Sequence, residues 1–207
     1  MDIFDEEVKK EEENKIFKPF TAKDIVFLAI ISAITLVTSA VMPLVAHVPV
    51  FGIIQIVLGL QFSIFPAIGL MKVRKVGTML FISIFSGIVL VFMNPIMFLC
   101  LVICALISEC LSLIIFKGYK KDKACFLTAW LYLPLSLPFL YLWYQLIGGN
   151  DTVASYANSN IWLTIVMSLC VVILCAIGSL IGVKIGRELR KSGALKKWWL
   201  VKVKFIQ

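Results

Sequence analysis

The chain has 207 residues, of which 61% are apolar and 15% charged, and its formal net charge is +8. A soluble domain carries roughly 45–50% apolar and about 25% charged residues, and the mean hydropathy here is +1.00. A water-soluble globular domain is excluded. The apolar residues gather in runs of the length, about 20 residues, that a helix needs to cross a bilayer.

Residues 1–20 mix Asp, Glu and Lys and have no apolar core. They predict a charged cytosolic leader, not a signal peptide. Spans are predicted at 25–42, 51–71, 76–93, 95–116, 126–147 and 161–183. Helix is the expected state of each, because a lipid-exposed backbone must satisfy its own hydrogen bonds and the runs lack the alternation of barrel strands. The expected fold is an all-α polytopic membrane protein with six transmembrane helices. Its plan is a leader (1–20), a six-helix transmembrane domain (21–190) and a basic cytosolic tail (191–207).

In chain order, the first span carries Ala29-x-x-x-Ala33, a small-residue spacing that lets another helix approach closely. The loop MPLVAHVPVFG follows and holds His47, the only histidine. Pro66 marks a break or kink in the second span, as Pro134 and Pro138 do in the fifth. Asn94-Pro95 forms a tight turn, with Pro at the first position of the fourth span. Tyr141, Trp143, Tyr144 and Gln145 end the fifth span, and GGNDTVASYANSN leads into Trp162. Gly178, Gly182 and Gly186 place a second small-residue stripe on the last span.

Lys and Arg orient these elements. All 20 fall before the first span, between the second and third, between the fourth and fifth, or after the sixth. Short cytoplasmic loops accumulate Lys and Arg, so both termini are expected inside the cell. The basic charge thus marks topology and implies no nucleic-acid partner. The tail, with Trp198 and Trp199, suits an amphipathic segment on an anionic inner leaflet.

Glu109 is the one ionisable side chain well inside a predicted span. An intramembrane carboxylate is a functional candidate by default. It lies about seven residues from the cytosolic end, roughly 10 Å at the helical rise. There Lys184 or Lys72 could snorkel toward it. A structural hydrogen bond or ion pair between helices is preferred, with a proton or ion relay as the alternative. At the opposite end, Asn94, Tyr144, Gln145, Asn160 and Trp162 form either an interfacial aromatic belt or a binding pocket open to the outside. Both readings stand. The six Cys predict buried small hydrophobes rather than a metal site. No nucleotide-binding loop, metalloprotease motif or nucleophile elbow occurs. An enzyme, a cofactor and a metal centre are not expected.

Four stretches in order carry a resemblance. FTAKDIVFLAIISA leads a Lys-Asp pair into the first helix, and FPAIGLMKVRKVGTMLF joins a Pro, a basic cluster and Gly-Thr. LISECLSLIIFKGYKK ends a helix with Glu and a Gly-Tyr-Lys exit, and GSLIGVKIGRELRKSGALKKW closes on spaced glycines and basic residues. Together the chain resembles the substrate-binding S components of energy-coupling factor (ECF) transporters, of the Trep_Strep integral membrane type. The resemblance implies a six-helix protein of the bacterial plasma membrane that captures a vitamin or other micronutrient from outside. It implies as partners a transmembrane coupling protein and two ATPase subunits, beside the lipid bilayer. It assigns the coupling face to Ala29 and Ala33 and the cargo region to Asn94, Tyr144, Gln145, Asn160 and Trp162. A stand-alone transporter or channel using Glu109 is the other expectation, and a membrane scaffold recruiting partners through its tail is a third.

Overall fold

A computed structural model describes residues 19–41, 48, 50–93, 95–146 and 160–192. Among them the chain forms α1 (Ala22–Thr38), a 3-10 turn (Ser39–Val41), α2 (Ile53–Gly59), α3 (Gln61–Val73), α4 (Thr78–Met93), α5 (Pro95–Phe116), α6 (Asp122–Tyr132), α7 (Ser136–Leu146) and α8 (Ile161–Lys191). No strand occurs among the described residues.

The starts of α1, α4 and α5 have local causes. Thr21 caps α1 in a capping box with Asp24: Asp24 N donates to Thr21 Oγ1 at 3.4 Å and Thr21 N to Asp24 Oδ2 at 3.1 Å. α5 opens on Pro95, whose missing N–H is no loss at a first helical position. Arg74 ends α3 in the left-handed conformation (φ 49°), and Gly77 (φ 92°) turns the chain into α4.

Four stretches are long and apolar enough to cross a membrane: Ala22–Val41, Met97–Phe116, Asp122–Trp143 and Ile161–Lys191. The pair α2 and α3, bent by 40° at its junction, makes a fifth if counted as one span. These are the dimensions of a multi-pass membrane protein. The predicted second span is therefore a bent pair, and its break lies at Gly59-Leu60 while Pro66 stays inside α3. The fifth is interrupted at 133–135, around Pro134 as expected. There Leu135 N still donates to Leu131 O and Leu137 N to Pro134 O, carrying the helical path onward. Pro138, in the first turn of α7, is accommodated without a break. The third predicted span begins two residues late, because residues 76 and 77 are used in the turn, and α4 has 16 residues.

The bundle is aliphatic outside and hydroxyl-rich inside. Val37 (75% exposed), Ile114 (76%) and Leu180 (58%) face outward, as lipid-facing side chains do. Buried within are Ser32, Thr35, Ser63, Thr78, Ser83, Ser108, Thr128 and Ser179. Several bridge helices: Ser32 Oγ donates to Ile82 O (3.3 Å), Ser112 Oγ to Ala124 O (3.3 Å) and Ser179 Oγ to Phe126 O (2.8 Å). Trp130 Nε1 donates to Val172 O at 3.0 Å. Lipid gives helices no hydrophobic reason to associate, so small residues and such bonds, averaging about 0.6 kcal/mol each, hold them. The glycine stripe of α8 does what its spacing predicts. A Cβ added at Gly182 would lie 2.6 Å from Ile64 O, so α3 and α8 approach backbone to backbone (Gly178 likewise meets Leu60 O).

Candidate functional site

The described charged side chains collect at one end of the bundle. Lys75 Nζ binds Asp24 Oδ2 at 2.6 Å and also donates to Pro19 O at 2.7 Å. Arg74 pairs with Asp122 and donates through Nη1 to Lys120 O at 2.8 Å. Asp122 Oδ2 also takes Arg187 Nη2 at 2.9 Å. Half-exposed pairs of this kind contribute on the order of 1 kcal/mol or less each. Their consequence is geometric: the start of α1, the α3–α4 turn, the α5–α6 turn and the end of α8 are tied into one layer.

Glu109 lies at the inner margin of that layer and is 5% exposed. Its Oε2 accepts from Gly77 N (3.1 Å), and its Oε1 accepts from Met79 N (2.8 Å) and Tyr119 Oη (3.3 Å). Thr128 Oγ1 in turn donates to Tyr119 Oη at 3.3 Å. The carboxylate therefore caps the first amides of α4, where the helix dipole favours negative charge. This is the hydrogen bond between helices that the sequence suggested, made with different groups. Lys72 does not supply it; its ammonium lies 5.8 Å from the Phe27 ring centroid.

Ala29 and Ala33 sit on the outward side of α1, the first half-buried and the second exposed. Val26 (57% exposed), Ile30 (44%) and Val37 (75%) flank them. The opposite face of α1 is filled by Leu28, Ile31, Ser32 and Thr35, which pack against α3 and α4.

Of the residues expected to hold cargo, Asn160 and Trp162 are described. They open α8, both exposed, Trp162 at 80%. Asn94 lies outside the described residues, as do the side chains of Tyr144 and Gln145 on the last turn of α7. His47, the leader to residue 18, the loop 147–159 and the tail beyond 192, with its two Trp, lie outside them as well. At the end away from the described charges Phe51 meets Tyr141 edge-on, ring centroids 5.9 Å apart. A shallow groove lies instead at the charged end, lined by Lys184, Ile185, Glu188, Leu189, Lys191 and Ser192.

Cys100, Cys104, Cys125 and Cys175 are buried, Cys170 is half-buried and Cys110 is exposed. No group of three or more His, Cys, Asp or Glu able to hold a metal occurs among the described residues. Sequence reasoning passed over Tyr132, Ser63, Ser83 and Ser86, whose hydroxyls are buried without a hydrogen bond. The signal available was a Tyr two residues before a span-breaking Pro and a recurring Ser on α4. No family model, curated protein or solved structure matches the chain.

Proposed function

We propose that this protein is a six-span substrate-binding subunit of an ECF-type importer in the bacterial plasma membrane, with both termini in the cytoplasm. It captures a vitamin or other micronutrient from outside and delivers it together with a transmembrane coupling protein and two ATPases. The four matching sequence stretches suggest the reading. The observation that carries it is the outward face of α1, where Ala29 and Ala33 lie among exposed aliphatic residues beside the charged end. A face with small residues at its centre admits another helix closely.

Six crossings are supported by the path of α4. It starts beside Glu109 of α5, ends at the turn into Pro95, and so doubles back along α5 through most of that helix's length. At 16 residues it is about four short of the usual span, a shortfall that local bilayer thinning absorbs. The layer of basic residues is then the cytoplasmic face. Cargo enters at the end of Asn94, Tyr144, Gln145, Asn160 and Trp162, where no Lys or Arg is available to an anion. A flat, uncharged or cationic molecule suits that end. Use of Glu109 as a relay is disfavoured, because both its oxygens are engaged in holding α4.

The test substitutes Ala29→Trp or Ala33→Trp and co-expresses the variant with its coupling protein and ATPases. We expect the complex and ATP-driven uptake to be lost while small molecules still co-purify with the isolated subunit. Normal assembly and uptake would refute the reading. pH-dependent solute flux through the purified protein alone in liposomes, without ATP, would favour the stand-alone transporter instead.

A further inference from the structure

The two interrupted spans meet in the middle of the bundle. A Cβ at Gly59, the last residue of α2, would lie 3.4 Å from Cys175 Sγ and 3.8 Å from the Leu133 side chain, which belongs to the turn after α6. Phe62, on the first turn of α3, stacks on Tyr132 with ring centroids 6.5 Å apart.

Both interruptions loosen the backbone ladder here. Ser63 N reaches Leu60 O in a long 3.4 Å bond, while Gly59 O is met by the weak donor Cys175 Sγ at 3.7 Å. Pro66 and Pro134 have no N–H, so the carbonyls of Phe62 and Trp130 lose the amide four residues on.

Buried hydroxyls lie on the same helices. Tyr132 is 1% exposed, Ser83 and Ser63 are 0% and Ser86 is 1%. None of the four closes a hydrogen bond of full geometry. Ser83 is the hydroxyl beside Tyr132, with the Cys100 and Cys104 thiols nearby, and Ser63 lies beside Cys175; such a contact uses one proton and leaves the other group's proton without an acceptor. A buried hydroxyl whose proton finds no acceptor is destabilising. Hydroxyls with a proton to spare, next to carbonyls short of a donor, are what a bound water satisfies, since it donates twice and accepts twice.

We propose that the crossing of the interrupted spans is a buried water-binding site organised by Tyr132 and Ser83, with Ser63 and Ser86 at its margins. Its chemistry is neutral: hydroxyls, thiols and carbonyls line it, and the carboxylate of Glu109 is committed elsewhere. It selects a small uncharged hydrogen-bonding molecule over an ion. Water there supplies an exchangeable partner where the helices' own ladders are incomplete, which is how broken spans persist in lipid. The site does not depend on the transport reading.

Water-edited solid-state NMR of the full chain in lipid bilayers, with tyrosine labelled at Cζ, tests it. Tyr132→Phe identifies the Tyr132 signal, and Phe62 ring carbons serve as the dry reference. We expect magnetisation from water to build up several-fold faster at Tyr132 than at Phe62, and to slow in Ser83→Ala. Build-up at Tyr132 no faster than at Phe62 overturns the proposal, as does a rate unchanged by Ser83→Ala. A sequential assignment of the wild-type protein gives the same answer should Tyr132→Phe not fold.

Discussion

A single carboxylate shows how context decides a residue's role. Glu109 is the group a bilayer should reject, yet it accepts from two amides and one phenol and caps the buried start of α4. Deleting one partner of a buried, charge-assisted set leaves the others unsatisfied, at about 1–3 kcal/mol or more. Glu109→Ala is therefore expected to lower the thermal midpoint of the detergent-solubilised protein by several degrees. Glu109→Gln keeps one acceptor oxygen but turns an –NH2 donor toward the Gly77 or Met79 amide, so it should recover only part of that loss. A Glu109→Gln protein of unchanged midpoint would contradict the capping role, since one of the two amides would then have lost its acceptor at no cost. Position and burial were legible in the sequence; the partners were not. They are backbone amides of a turn 30 and 32 residues away, and no side-chain pattern encodes an amide's direction.

Helices make contact here through what they lack. At Gly182 a methyl group would stand 2.6 Å from a carbonyl and 2.7 Å from Ala67 Cβ, and neither neighbour is a flexible chain end. Gly182→Val should force α8 off α3 and cost about 1–3 kcal/mol or more, read as a lowered midpoint and reduced yield in membranes. A bulky aliphatic residue at exposed Ala33, by contrast, should leave the midpoint of the isolated protein unchanged. The glycine spacing disclosed its contact in advance, because close approach has few other means. The break between α2 and α3 was less legible. Pro66 drew attention as the chemical breaker, but the chain bends at Gly59-Leu60, where Cys175 and Leu133 lie beside a residue with no side chain. Pro66 is carried within a helix whose neighbours close around it.

For the whole molecule, the distribution of charge and the distribution of apolar length bear on the same question. Segments from four places in the chain meet in one layer, where Arg74 and Arg187 pair with Asp122 and Lys75 pairs with Asp24, and the proposed six-span reading accounts for this with an even number of crossings between them. Length alone gives four spans, or five with the bent pair. The difference rests on α4, whose 16 residues run from that layer back to the start of α5. The hydroxyl-rich interior was the feature least legible in the sequence. Scattered Ser and Thr in apolar runs share no strict period, and only the assembled bundle turns them to one side.

The most direct measurement is a topology map by impermeant thiol labelling in intact cells, in a cysteine-free background with Lys121→Cys, Arg74→Cys, Val48→Cys or Asn94→Cys. Residues 48 and 94 should react from outside, and residues 74 and 121 only after the membrane is opened. If positions 74 and 94 react from the same side, α4 does not cross, and the six-span account with its cytoplasmic basic face is wrong.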